Sequence, residues 1–330
     1  MRSLRLTAFG SLEVHVQDDP VPSPGEVVLQ VLACGLCGTD RHILAGEYPA
    51  HLPLVLGHEF GGRVIASQAS NFEIGDLVSV DPNISCGDCA DCRAGRVALC
   101  PSRIAYGVDI DGGLAERVAV RASQLTAMTG TVPAHALAFV EPLACCLRGL
   151  DLADISGGER VAVLGGGVMG QLMVQLAATA GAGEITMVTR QAARRDLACS
   201  LGASHAVTPE VADTQLGRSF DLVFECAGVI DTFQQSQVLA RRGGSIILLG
   251  IPPAEAEAAV RPFSLVYDEL RIQGSFLNPL TQGRAAELIC SRSIDVDPLA
   301  SRVVGLADAV QVLASPPRPG EVKVIVDPSR

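Results

Sequence analysis

Residues 86–100 read CGDCADCRAGRVALC and place Cys86, Cys89, Cys92 and Cys100 with two, two and seven residues between them. Thiolates at that spacing can close a tetrahedron around zinc. Three readings are open at this point: a disulfide framework, a zinc module that touches nucleic acid, or a brace for an enzyme whose chemistry lies elsewhere. A second set of metal-ligating types follows a different pattern. The stretch GLCGTDRH carries Cys37 and His42, LGHEFGG carries His58 and Glu59, and VEPLACC carries Glu141. One thiolate, one imidazole and one carboxylate are the donors of a zinc site that keeps a position open for water or substrate, which is what catalysis needs and a closed four-thiolate site lacks.

A third motif points to a nucleotide. In VAVLGGGVMGQLMVQLA, Gly165, Gly167 and Gly170 form G-x-G-x-x-G after a strand pattern and at the start of a helix pattern, with Val168 and Met169 inside it. The first glycine permits the tight turn, the second the close approach of a pyrophosphate, the third close helix packing, and the helix N-terminus offers N–H groups to the phosphates. About twenty residues on, an NAD site carries an acidic residue for the ribose 2′-hydroxyl. Here the chain reads MVTRQAARR, so Thr189 stands in the acidic place, followed by Arg190 and by Arg194. Without a carboxylate, repulsion of a 2′-phosphate is gone, and arginine donors suit one. The expected cofactor is NADP in preference to NAD.

These residues must be held by a fold, and two patterns are visible. Up to about residue 141, short alternating runs such as EVVLQVLA, GRVIAS, DLVSVDP and ERVAVRA read as strands in a loop-rich, β-rich domain. From 142 onward RVAVLG, EITMVT, DLVFECAG, GSIILLG and LRIQGS alternate with helical segments, the signature of a parallel sheet covered on both faces. Helical GRAAELICSR and LADAVQVLAS and a closing strand EVKVIVD complete the chain. At 330 residues and 48% hydrophobic content there is enough apolar material for two cores. The net charge of −11, with Lys323 as the single lysine, offers no concentrated positive field for nucleic acid. No apolar run reaches membrane-spanning length and the N-terminus lacks a signal-like stretch, so a cytoplasmic protein is expected, in which eleven cysteines serve metals and cores before disulfides.

Taken together, CGTDRH, GHEFGG, the four-cysteine lobe, EPL and GGGVMG, in that order over essentially the whole chain, make it resemble the zinc-dependent medium-chain dehydrogenase/reductase family, in particular its sorbitol and polyol dehydrogenase-like branch. The resemblance implies an α/β chain with a Rossmann doubly wound parallel sheet and a β-rich GroES-like catalytic domain: residues 1–141 catalytic, 142–277 dinucleotide-binding, 278–330 returning to the catalytic domain. It implies a catalytic zinc at Cys37, His58 and Glu59, with Glu141 as a direct or water-bridged fourth carboxylate, and a structural zinc at Cys86, Cys89, Cys92 and Cys100. Zinc so held lowers the pKa of an alcohol, and hydride passes to the nicotinamide. The resemblance further implies a proton relay through Thr39 to His42; Asp40, by its spacing to Cys37, is expected to orient His58 as a hydrogen-bond acceptor. Its implied substrate is a secondary alcohol, polyol or cyclitol, and its implied assembly a homodimer or homotetramer, with no nucleic-acid or membrane partner. The alternative is a zinc-stabilised nucleotide-binding or regulatory protein of the same fold without turnover.

Overall fold

A computed structural model describes residues 1–330. The chain divides into two compact units, one of residues 1–142, 282–292 and 300–330, the other of residues 143–281 and 293–299. No helix is long and apolar enough to cross a membrane.

In the first unit the strand Glu26–Gly35 is the spine of a seven-stranded sheet. Its valines and leucines are buried, and it pairs antiparallel with Glu59–Ser67, Arg117–Arg121 and the C-terminal strand Lys323–Val326. Of two register shifts in the pairing with Glu59–Ser67, one falls at Gly61 and Gly62, where a Cβ at Gly62 would come within 2.0 Å of the Gln30 carbonyl oxygen. The register ends by setting Gly35 opposite Glu59, and Ile325 opposite Gly35. Thus one short stretch of spine faces both a candidate ligand and the strand that carries Lys323. Beneath it lies a core that includes Leu4, Leu6, Leu29, Leu54 and Phe60, each no more than 1% exposed. Burying one such side chain stabilises by about 1.5–3 kcal/mol. A hairpin of Arg2–Ala8 and Ser11–Val16, turned at Gly10 with φ of 79°, covers part of this core; the sequence reading had not marked it as strands.

The second unit is a six-stranded parallel sheet. Counted along the chain within it, strands Arg160–Leu164, Glu184–Val188, His205–Val207, Phe220–Glu225, Ala240–Leu248 and Arg271–Gly274 lie side by side in the order 3-2-1-4-5-6, the doubly wound arrangement expected. The apolar runs are continuous because both faces are covered by helices. The third strand escaped the sequence reading: it has three residues, none fully buried, and so leaves no periodic signal. In this strand order, ligands bind outside the carboxyl ends of the strands where the winding reverses, between the first and fourth. Gly165 follows one of those strands and Cys226 the other.

Candidate active site and metal centres

Cys37 caps the helix Gly38–Ala45, and its backbone N–H donates to Asp40 Oδ2 at 2.8 Å. A helix N-terminus favours the anionic sulfur that a metal needs. His58 directly precedes the strand Glu59–Ser67. Before it, Gly57 has φ of 94° and a Cβ there would lie 2.6 Å from Cys34 Sγ, so the turn that delivers His58 admits only glycine. The Sγ of Cys37, a ring nitrogen of His58 and a carboxylate oxygen of Glu59 all lie within 4.8 Å of one another. His58 Nδ1 faces Asp40 Oδ1 at 3.5 Å, and neither atom has any other partner although both are buried. With Nδ1 turned to Asp40, Nε2 is the nitrogen left for a metal. Burial pushes the imidazole pKa down, but the charges of Asp40 and Cys37 push it up by more, so the net shift is well upward. A site that draws a proton onto a buried imidazole is one in which a cation is welcome. The soft, borderline and hard donors together suit zinc.

Lys323 is the residue here that sequence reasoning did not assign to the site. It is 3% exposed, and its ammonium pairs with Glu59 Oε2. Burial lowers its pKa, yet the charges of Glu59 and Cys37 raise it further, and the ammonium stays protonated. Gly35 makes the room, since a Cβ there would sit 2.3 Å from Glu59 Oε2 and 2.8 Å from Lys323 Cε. The one signal in the sequence was that the chain has a single lysine. Glu141 lies in the first turn of the helix Val140–Ala153, buried, outside the group of three. Thr39 Oγ1 is 3.7 Å from Cys37 Sγ. His42 stands on the same helix with an exposed ring, its Nδ1 2.6 Å from Glu47 Oε2.

The second cluster is of another kind. The four sulfurs of Cys86, Cys89, Cys92 and Cys100 lie within 4.8 Å of one another. Backbone N–H groups of Asp88 and Cys89 point at Cys86 Sγ from 3.5 and 3.4 Å, and that of Cys92 at Cys89 Sγ from 3.5 Å. The donors of Asp88 and Cys89 pull the Cys86 thiol down to about 6, while burial and the sulfur of Cys89 push Cys92 up to about 11. Four sulfurs this close cannot all be anionic without a cation among them, and one closed by four thiolates fits zinc.

In the second unit Gly165 adopts φ of 101°, and a Cβ on it would lie 2.9 Å from Ala227. A Cβ on Gly170 would lie 1.8 Å from the Gly165 carbonyl oxygen, so the first helical turn closes directly onto the loop. At Gly167, the cap of the helix Val168–Thr179, a Cβ would meet nothing within 4 Å. That glycine therefore leaves open the space a pyrophosphate would fill, with the N–H groups of Val168 and Met169 behind it. Gly166, which the motif left unexplained, is required because the Thr189 side chain rests on it, 2.8 Å from where its Cβ would be. Thr189 is buried and Arg190 exposed at the end of Glu184–Val188. Glu225 is a further group that the sequence reading missed. It is 2% exposed, and its Oε1 accepts from the N–H groups of Ala227 and Gly228 at 2.8 and 2.9 Å and from Thr232 Oγ1 at 2.7 Å, holding the loop that abuts Gly165.

Residues 23–130 match the family model described as alcohol dehydrogenase GroES-like domain, and residues 168–289 the one described as zinc-binding dehydrogenase. The chain is 35% identical over 270 residues to D-altritol 5-dehydrogenase of Agrobacterium fabrum, covering 80% of this chain and 79% of that one. Among solved structures, it is similar to a zinc-binding dehydrogenase of Sinorhizobium meliloti bound to NADP, with 43% identity, a TM-score of 0.96 and 99% of each chain covered. L-idonate 5-dehydrogenase of Escherichia coli superposes with a TM-score of 0.90 at 25% identity, over 99% of this chain and 97% of that one.

Proposed function

We propose, from the premise that this chain belongs to the zinc-dependent medium-chain dehydrogenase/reductase (alcohol dehydrogenase) family, that it oxidises a secondary hydroxyl of a polyol with NADP as hydride acceptor. The chain is an NAD(P)-linked alcohol or polyol dehydrogenase. The observation that carries the reading is the buried trio of Cys37, His58 and Glu59 with Asp40 behind the imidazole. These three residues would hold the catalytic zinc, with the Glu141 carboxylate as a direct or water-bridged fourth ligand. When bound, zinc supplies a Lewis acid that lowers the pKa of an alcohol. Asp40 fixes the ring of His58 so that Nε2 is the ligand atom. Lys323 offsets the negative charge that Glu59 brings into a buried site. Thr39 stands beside Cys37 to take the proton released by the hydroxyl, and His42, exposed and paired with Glu47, hands it to solvent. Cys86, Cys89, Cys92 and Cys100 would hold a structural zinc that takes no part in turnover.

Support for NADP comes from the far end of the nucleotide loop. Thr189 brings no carboxylate to repel a 2′-phosphate, and Arg190 is exposed, its charge felt by the Glu210 carboxylate on the helix Pro209–Gln215. The helix Ala192–Ser200 that follows has no acidic residue in its first turn and no side-chain cap. A charge-assisted contact from Arg190, with Arg194 close by in sequence, contributes about 1.5–3 kcal/mol, or roughly ten- to hundredfold in affinity. Thr189→Asp should reverse the preference, which kcat/KM for both cofactors will read. For assembly, the strand Arg271–Gly274 ends its sheet with one neighbour, beside Phe263, Val266 and Tyr267, which are 74%, 80% and 60% exposed. Two such edges pair about a two-fold axis, supporting a homodimer or a tetramer of dimers. The eleven free thiols support a reducing compartment, the cytoplasm.

The test of the whole reading is NADP-linked oxidation of a panel of polyols, with zinc per chain measured on the same sample. Turnover of a polyol by protein carrying about two zinc ions per chain is expected. Zinc without turnover would favour a binding protein of the same fold.

A further inference from the structure

Behind the cofactor-selecting loop stands a third arginine, Arg195, whose position adjacent to Arg194 does not reveal its role. Arg195 Nη1 donates to the carbonyl oxygens of Thr189 and Arg190, at 2.8 and 2.7 Å. Its guanidinium is therefore turned back onto the loop. Half-buried, it draws two consecutive carbonyls toward one nitrogen and fixes the two peptide planes that aim the side chains of Arg190 and Gln191.

A second tie reaches the same place from the phosphate loop. Gln171 is fully buried in the helix Val168–Thr179, and its Nε2 donates to the Gly166 carbonyl at 3.3 Å and to the Arg194 carbonyl at 2.9 Å. Both neighbours are acceptors, so the amide orientation is fixed by its partners. The Thr189 side chain, packed on Gly166, makes a third contact between the two loops. Phosphate loop and selecting loop are thus pinned as one rigid piece. The distance from the pyrophosphate place at Gly167 to Arg190 is set by protein bonds before any cofactor arrives.

We propose that Arg195 is a positioning residue for cofactor selection: it acts through Arg190, by bracing the loop carbonyls, and does not itself bind the 2′-phosphate. This rests on the NADP reading and adds to it a residue whose work is geometric. Pre-organisation of this sort strengthens binding by removing the ordering cost from the association step.

The consequence is a particular pattern across variants. Arg195→Gln removes the charge and the Nη1 donor, whereas Arg195→Lys keeps the charge on an ammonium about one bond short of the Nη1 position, which cannot reach both carbonyls. Dissociation constants for NADP and NAD, measured by titration on each zinc-loaded protein, give a selectivity ratio that a general loss of stability leaves unmoved, because both cofactors share the rest of the site. Both variants are expected to lose about tenfold in that ratio, chiefly by weaker NADP. Arg190→Ala should lose a similar amount. The double variant Arg190→Ala with Arg195→Gln should lose no more than Arg190→Ala alone, since one residue works through the other.

A wild-type ratio near one would overturn the NADP reading, and this proposal with it. A high wild-type ratio that survives in Arg195→Lys would overturn the bracing role alone, leaving through-space charge as the cause. Losses that multiply in the double variant would also overturn it, since Arg195 would then contact the phosphate independently. Thermal melts of each variant accompany the titrations, and if Arg195→Gln does not fold, Arg195→Lys alone decides between bracing and charge.

Discussion

The two metal clusters of this chain differ in every respect that decides how a site is built. In the lobe, four like ligands fall within residues 86–100, and the short helix among them, Ala90–Arg93, has no buried residue. Ion pairs of Arg93 with Asp88 and of Arg96 with Asp91 lie on its surface, where such pairs contribute little. The lobe has almost no core, so its metal would do the folding. In the other cluster three unlike ligands come from residues 37, 58 and 59, and their charge partner from residue 323. There a seven-stranded sheet and a core of Leu, Val and Phe create the geometry, and the metal would be a guest. On the proposed reading, one cluster would need its metal to exist, while the other would need it only to act.

That contrast can be broken, starting where the effect is largest. His58→Ala removes an imidazole from the open trio; turnover should fall to background while cofactor binding, which belongs to residues of the other unit, persists in a nucleotide titration. Turnover near wild type would remove the catalytic assignment. Lys323→Met leaves the Glu59 carboxylate buried without its cation, at a cost of about 3–5 kcal/mol in metal-free protein. The cost should shrink when zinc is loaded, because the metal's charge replaces the ammonium's. Denaturant melts with and without zinc read the difference, and equal losses in both would mean that the metal does not sit beside Glu59.

For the lobe the order of effects is reversed. Cys89→Ser should lower zinc content and depress Tm by roughly 5–10 °C, with activity reduced as a secondary result of loosening. An unchanged Tm would show that the four thiols need no metal. The smallest effect concerns Asp40. Asp40→Asn keeps the volume and loses the carboxylate behind His58, so metal affinity at the open trio should drop by about 10- to 100-fold. Competition with a chelator of known affinity measures this. No change would assign Asp40 wholly to its bond with the Cys37 amide.

How much of this was legible in the sequence follows the same divide. The lobe could be read because its ligands are neighbours along the chain, where spacing equals geometry. The nucleotide loop was legible for the same reason, as were Thr189 and Arg190 at a fixed remove from it. The donors of the open trio could be picked out by type, but which of them belong together came only from resemblance to a family, since nothing in a linear chain says that position 37 meets position 58. Lys323 was noticed as a count but not as a partner of Glu59, because its place depends on strand Lys323–Val326 pairing with residues 34–35. Gly35 and Gly166 carried no signal at all: each is required by a side chain distant in sequence, Glu59 in one case and Thr189 in the other. The strand His205–Val207 and the N-terminal hairpin were lost to shortness and mixed burial. Arg195 could be counted among the arginines of MVTRQAARR, but only the backbone carbonyls it grips show that it faces the loop.

The central claim is that turnover belongs to one cluster and folding to the other. Zinc per chain and NADP-linked polyol turnover, measured together on His58→Ala and Cys89→Ser below their melting temperatures, test it most directly. About one zinc per chain is expected in each variant, with turnover absent in His58→Ala and partly kept in Cys89→Ser. An active His58→Ala protein, or a folded Cys89→Ser protein with no turnover at all, would contradict it.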